Sequence, residues 1–489
     1  MTTPRYSPSL RTALVLTGSG TAGAYHAGVL RALCEAGVKI DLVAGRGVGA
    51  VGAMFAAVDG GATLWDPGGV WQSDRTRRCY GWRGTLKAAF WTLVAAASAL
   101  LVPLTALVGA AIVYPVGFLL RLGGFDAGTA LAAGYTHLVD AVFHPAALPL
   151  YLPRVITLLL VVFLGVLAVG EALPRIRVAA RRRARGLVWW RLLGAPLEVA
   201  MVVEHFTDGL WSVMRGAARV SKPTPRDLAE RYTELLADNV GQPGFRELLV
   251  VAHDLDTRRD LVFGLLADER RRPFFLRRIG SESGDRHLEA MDLAGPARVH
   301  CLDAIASSLC LPVATDAHSV RFAADHRWRG ETHQLCDRPE ATARLLEEVA
   351  NAGAEQVILV TALPESRGPL ALESGRRDPR ERAAEYLASI ETAALRDAVV
   401  AWGGRFQAVF HVRPEHNPIG PLDFDGAYDE RSDRMFPLTE LIERGREDGF
   451  RQFVDAVVGA SGEWIQAQPR RPHETEGSPQ PLTTSESDS

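Results

Sequence analysis

Paired cysteines are missing from this chain. Its five cysteines, Cys34, Cys79, Cys301, Cys310 and Cys336, show no close spacing of the kind metal sites use, and the pattern fits a reducing compartment rather than a disulfide framework. The 13 histidines are equally scattered, so neither a metal nor a cofactor is expected. Excess charge of one sign is missing too. Lys and Arg number 54 against 57 for Asp and Glu, a formal net charge of −3, which weighs against a nucleic-acid partner. No cleavable leader is expected, because the stretch before the first strand is short and polar, with Pro4, Ser7, Pro8 and Ser9. Charge is absent altogether from Ala88 to Leu120, and Val155 to Gly170 is an unbroken run of apolar residues and Thr157.

Two glycine-rich turns stand near the N-terminus. Ala13-Leu14-Val15-Leu16 reads as a short buried strand, Gly18-Ser19-Gly20-Thr21-Ala22-Gly23 as a tight loop, and Ala24 to Ala36 as a helix. Asp41-Leu42-Val43-Ala44 then enters the turn Gly45-Arg46-Gly47-Val48-Gly49, and Ala50 to Ala57 leaves it as a helix of mostly small residues. Strand, sharp turn and helix with flanking glycines is the form of a nucleophile elbow, where the turn is strained and backbones approach closely. The nucleophile is lacking, because residue 47 is glycine. Gly18-x-Gly20-x-x-Gly23 also fits a dinucleotide fingerprint. The acid such a site needs at the end of the second strand is not there, since Asp41 precedes a strand that ends in glycine.

These residues resemble the glycine loop and Gly-x-Ser-x-Gly elbow of patatin-like phospholipases, a family of serine acyl hydrolases. The resemblance continues in Val251-Ala252-His253-Asp254-Leu255-Asp256-Thr257 with Leu261-Val262-Phe263, which is similar to the family's Asp-Leu-Asp/Glu-Thr hairpin. Ala306-Ser307-Ser308 with Pro312 is similar to its Ala-Ser-x-x-x-Pro helix start, and Ala350 to Val360 to the helix end and strand after its Asp-Gly. The resemblance covers residues 11–60 and 245–365, and it implies an α/β fold of three layers with a mainly parallel central sheet. It also implies a mechanism in which serine attacks an ester, aspartate takes the proton and loop amides hold the oxyanion. On this alignment Gly47 occupies the serine position, and Trp328-Arg329-Gly330-Glu331 puts Arg329 in place of the aspartate. Gly18, Ser19, Gly20 and Gly23 keep an oxyanion-type loop beside an elbow of Gly45, Gly47 and Gly49, and no catalytic residue is assigned. Thr17 and Ser19 are the hydroxyls expected near the elbow. A substitute nucleophile would need a base that the sequence does not identify, and His26, on the helix after the glycine loop, reads either as facing the elbow or, the commoner case, as a satisfied packing histidine.

A bilayer core takes ~20 helical residues, so the uncharged runs predict a two-helix hairpin with spans at 88–120 and 152–173. Arg75, Arg77, Arg78, Arg83 and Lys87 precede the first span, and Arg175, Arg177, Arg181, Arg182, Arg183 and Arg185 follow the second. Only Arg121 and Arg154 lie between. By the positive-inside rule both flanks, the globular domain and both termini are expected in the cytoplasm. Arg175 to Arg185 suit anionic lipid headgroups. Leu187 to Leu193, with Trp189-Trp190, and the following segment suit either an interfacial helix or an amphipathic helix packed on the domain.

The expected organisation is the first part of the α/β domain at 1–70, the hairpin with its basic flanks at 71–186, and an amphipathic segment and linker at 187–222. The rest of the domain with C-terminal helices follows at 223–465, then a disordered tail at 466–489. Thr224-Pro225 and Asp378-Pro379 begin helices, Glu247–His253, Leu261–Leu265 and Phe406–Val412 read as strands, and Asp423-Phe424-Asp425-Gly426 as a solvated turn. Such a chain is expected to be a membrane-anchored, catalytically impaired pseudo-phospholipase of lipid metabolism, whose open elbow leaves room for membrane lipid or an acyl chain. The alternatives are an active acyl hydrolase with a displaced nucleophile and a nucleotide-binding membrane protein using the glycine loop. No protein partner is identified.

Overall fold

The computed structural model describes residues 5–142, 152–177, 194–276, 289–323, 328–363, 379–415, 427–429 and 434–459. In chain order the first half contains β1 (Thr12–Leu16), α1 (Ala22–Glu35), β2 (Leu42–Gly45), α2 (Val48–Ala57), a single turn α3 (Ala62–Trp65), and then α4 (Gly84–Leu122), α5 (Ala127–Val142) and α6 (Leu152–Arg177). The second half begins with α7 (Ala200–Arg215), α8 (Pro225–Asn239), the hairpin β3 (Glu247–Asp254) and β4 (Arg259–Leu265), α9 (Asp268–Phe275), β5 (Ala290–Asp292) and α10 (Cys301–Ser308). It continues through β6 (His318–Arg321), β7 (Thr332–Cys336), α11 (Ala341–Asn351), β8 (Gln356–Val360), α12 (Pro379–Trp402), β9 (Ala408–Val412), β10 (Ala427–Asp429), β11 (Arg434–Phe436) and α13 (Leu438–Gly449), which runs on as a π-helix over Phe450–Val458.

One sheet in the order β5-β4-β3-β2-β1-β8-β9 forms the middle of the molecule, with β7 on β3 and β6 on β7. Pairing is parallel from β3 through β2, β1 and β8 to β9, while β3 and β4 are antiparallel. All five residues of β1 are buried, as suits an apolar strand at the centre of a parallel sheet. Its side chains alternate between two cores. Leu14 and Leu16 join Val29, Val51, Ile305 and Ile442 on one face, and Ala13 and Val15 join Leu345, Val349 and Ala398 on the other. The architecture is therefore helix, sheet, helix, an α/β fold with a mainly parallel centre, as the glycine loops led one to expect. The predicted helix start at Thr224 holds: its Oγ1 accepts the Asp227 N–H at 3.2 Å, with Pro225 at the first position.

Strand order reverses at β1, which has β2 on one side and β8 on the other. Crevices at such switch points, beyond the carboxyl ends of the strands, are where open α/β sheets hold their sites. The glycine loop leaves the carboxyl end of β1, and the elbow that of β2.

The insertion differs from a simple two-helix hairpin. The stretch expected to connect the spans contains a third helix, α5, which folds back along α4. Gly117 lies against the Gly128 backbone and Gly109 against the Tyr135 ring, while Tyr114 and Tyr135 meet edge to face at 5.8 Å. Small residues at such a seam let helix backbones approach closely, a habit of helices in lipid. Leu104–Leu122, 19 residues, is long and apolar enough to cross a bilayer, and the apolar run Val155–Val166 of α6 is shorter than that. Phe90, Trp91, Leu107, Phe118 and Leu119 of α4 all project outward.

Of the amphipathic segment, α7 packs on the domain. Val202, Phe206, Leu210 and Trp211 are buried, which favours the packed alternative for this stretch. Residues 178–193, which include Arg181 to Arg185 and Trp189-Trp190, lie outside the described residues, as do Asp378, the Asp423 turn and the tail from 466.

Candidate functional site at the glycine elbow

Gly47 sits at φ +56° and ψ −138°, between the last residues of β2 and the start of α2. An L side chain resists this region, so the turn has the strained geometry that an elbow imposes. Yet the space beyond it is filled. The Gly18 carbonyl accepts the Val48 N–H at 2.9 Å, and a Cβ placed on Gly47 would collide with that carbonyl and stand 3.0 Å from Asp337 Oδ2. The expectation of an open elbow with room for an acyl chain is therefore overturned. The glycine loop closes on the turn with a carbonyl, an acceptor, directed where an oxyanion site would present a donor. Gly18, Ser19, Gly20, Gly23, Gly45, Gly47 and Gly49 do come together here, and all are buried.

The Asp-Gly assignment also needs correction. Arg329 is an exposed residue, at φ +39°, in the turn that leads into β7, where Gly330 N–H donates to the Ala323 carbonyl at 3.0 Å. The acid that faces the elbow is Asp337, directly after β7. Its N–H donates to the Cys310 carbonyl at 2.9 Å, which fixes it beside α10. A carboxylate therefore faces the elbow, while residue 47 carries no hydroxyl. An Asp-Gly pattern marks Arg329-Gly330, whereas Asp337 is followed by Arg338 and is signalled only by its place directly after the strand Thr332–Cys336. The Ala306-Ser307-Ser308 segment is likewise the end of α10 and not a helix start.

Arg46, to which the sequence reading gave no role, decides what Asp337 can do. Its side chain is fully buried. Nη1 donates to Asp337 Oδ2 at 3.0 Å, Nε to Thr342 Oγ1 at 2.7 Å, and Nη2 to Glu391 of α12. Burial works against the guanidinium charge, but Glu391 and Asp337 outweigh it and raise its pKa. Burial raises the Asp337 carboxyl, and Arg46 pulls it back without cancelling the effect. Glu391 is raised for the same reason, with Asp337 adding to the rise. Two carboxyls and one guanidinium share a dry site, so Asp337 Oδ2, the oxygen nearest the elbow, is held in an ion pair, while Oδ1 is buried without a hydrogen-bond partner.

Ser19 Oγ donates to the same Asp337 Oδ2 at 3.4 Å, a long contact. His26 lies close by. Its Nε2–H donates to the Thr17 carbonyl at 3.0 Å, and burial lowers its pKa to about 4, so the ring is neutral. Its Nδ1 is buried without a hydrogen-bond partner. His26 is thus buried beside the closed loop with only one of its two ring nitrogens hydrogen-bonded. Among the described residues no group of acids, cysteines and histidines has the arrangement to hold a metal.

A glycine loop after the first strand, a tight turn with glycine at position 47 after the second, and an aspartate facing that turn make up the site. The model of the Patatin-like phospholipase family matches residues 14–145 of this chain. It is 56% identical over 45 residues to Patatin-like phospholipase domain-containing protein 6 of Mus musculus and, equally, to that of Homo sapiens. The match spans 9% of this chain and only 3% of the length of those curated relatives. Among solved structures the chain is similar to VipD from Legionella pneumophila, with 14% identity, a TM-score of 0.29, and coverage of 91% of this chain and 66% of that one.

Proposed function

We propose that this chain is a membrane-anchored, catalytically impaired pseudo-phospholipase that serves lipid metabolism by binding or regulation rather than by hydrolysis. The observation that carries this reading is the pairing of Arg46 with Asp337 beneath a glycine at position 47. Hydrolysis needs a nucleophile, a base with a free lone pair and donors for the oxyanion. Here the first is absent, the second has the oxygen nearest the elbow ion-paired to Arg46, and the loop offers the Gly18 carbonyl at the elbow. Membrane anchoring is supported by the outward apolar surface of α4 and by the glycine seam between α4 and α5. The basic flank before α4 favours a cytoplasmic domain. The lipid contact is then made by the helices and not by the closed elbow.

A displaced nucleophile remains the second reading, and the Ser19 contact with Asp337 is what favours it. The nucleotide-binding reading draws no support from β2, which ends in Gly45 with Arg46 after it and no acid. Fluorophosphonate labelling of the detergent-solubilised chain, with peptide mapping, tests the first two. No adduct is expected on the unmodified protein. An adduct on Ser19 that disappears in Ser19→Ala would replace the pseudoenzyme reading with the active one.

A further inference from the structure

Among the described residues Val313 is the most exposed large apolar one, at 93%, and it is held at φ +67°. A β-branched residue there is a true outlier. The Ala314 N–H donates to the Pro312 carbonyl at 2.8 Å, closing a three-residue turn with Val313 at its tip, a strained form rarely used. Folding alone gives no reason to display valine this way.

The turn is tied to the base of α4. Residues 81–83 and 196–198, the two ends of the insertion, lie side by side: Arg83 N–H donates to Pro196 O at 2.9 Å and Glu198 N–H to Gly81 O at 3.0 Å. The strip continues into the Val313 loop, because Leu197 N–H donates to Ala314 O at 3.0 Å and Leu197 bridges both Trp82 and Thr315. Trp82 on this strip is 52% exposed, and the outward apolar residues of α4 begin at Phe90 and Trp91. Asp316 beside the tip is neutralised by Arg83. Arg77, Arg78 and Lys87 are exposed, and among the described residues none of them forms an ion pair.

We infer that Val313 and Trp82, flanked by Arg77, Arg78 and Lys87, form a second contact by which the globular domain lies on an anionic lipid surface at the foot of α4. The inference rests on the membrane reading of α4. An indole and an aliphatic tip suit the interface between headgroup and acyl chain, and unpaired cations beside them suit anionic lipid. The same loop carries the Cys310 carbonyl that receives Asp337 N–H and the Leu309 carbonyl that receives Tyr80 Oη–H at 2.6 Å, so docking would hold the elbow side against the bilayer.

The test uses the full chain in a Cys34→Ser background, since the other four cysteines are buried. A polarity-sensitive fluorophore is placed at Val313→Cys or, separately, at Trp91→Cys, in nanodiscs with or without phosphatidylserine that carry a shallow spin-labelled lipid. Quenching is expected at both positions with phosphatidylserine. At 313, but not at 91, Arg77→Gln/Arg78→Gln should lower the docked-to-undocked ratio roughly tenfold or more, at ~1 kcal/mol for each basic residue. Quenching at 91 without quenching at 313 overturns the inference and leaves the anchor standing. Absence of quenching at both overturns the anchor first. Quenching at 313 that ignores both the arginines and the lipid charge overturns the assignment of an anionic surface.

Discussion

The Arg46 guanidinium stands 3.0 Å from the Asp337 carboxylate, with both side chains shielded from water, although the two residues are 291 positions apart in the chain. This ion pair joins the elbow after β2 to the end of β7, and through Glu391 to α12.

Removing the guanidinium leaves two buried carboxyls with no cation beside them. Breaking a buried pair in this way costs about 3–5 kcal/mol. Arg46→Ala is therefore expected to lower the thermal midpoint of the detergent-solubilised protein strongly. Asp337→Asn should be milder, because Arg46 keeps Glu391 and the cluster becomes neutral. Equal losses in the two variants would show that the charge balance described here is not what holds the site.

Serine at position 47 is not expected to restore hydrolysis alone. The new Cβ meets the Gly18 carbonyl, and Asp337 is still paired to Arg46. Strained backbone of this kind costs a side chain of order 1–3 kcal/mol. Gly47→Ser should be destabilised and unlabelled by fluorophosphonate, with or without Arg46→Thr, because the second change leaves the Gly18 carbonyl in place. Labelling of the single variant would mean that the loop opens readily and that Arg46 does not restrain the aspartate.

His26 makes stability depend on pH. Its folded pKa is lowered to about 4 from the ordinary 6.5, so the unfolded chain binds the proton more readily. The stabilisation is complete above 6.5, declines as pH falls from 6.5 towards 4, and is flat below that window. At 1.36 kcal/mol per unit the loss is on the order of 3 kcal/mol. His26→Gln can still donate to Thr17 but does not titrate, and a denaturation series across this range should lose most of the slope.

The seam between α4 and α5 depends on the absence of side chains at Gly117 and Gly128. Gly128→Leu is expected to drive the helices apart, because its Cβ would strike the Gly117 carbonyl. A cysteine pair at 117 and 132, where a Cβ on Gly117 would stand 3.7 Å from that of Ala132, should crosslink in the parent and fail to crosslink in that variant. Unchanged crosslinking would show that the seam is loose.

Much of the fold was legible because it is local. An all-apolar Ala13-Leu14-Val15-Leu16 and an all-apolar Val357-Ile358-Leu359-Val360 announce buried strands, and Thr224-Pro225 announces a helix start, from a few residues each. The elbow was legible from its glycines. The acid was not, since Asp337 lacks the following glycine that would mark it, and Arg329-Gly330 supplied a better match to the pattern in a turn that never reaches the site. The third helix was missed as well. Residues 127–142 carry Asp140 and His137 and read as a connector until α4 offers a glycine face to pack on.

By itself the sequence determined the elements, the elbow glycine and the uncharged middle, because strand, turn and span are set by neighbours within about 20 residues. Only the tertiary structure decided that Arg46 meets Asp337, that the Gly18 carbonyl closes the elbow and that Val313 stands at the foot of α4. Those pairings join segments far apart in the chain. The sheet and its two cores put them at one end of the molecule, and burial then makes a charge or carbonyl at that place decisive.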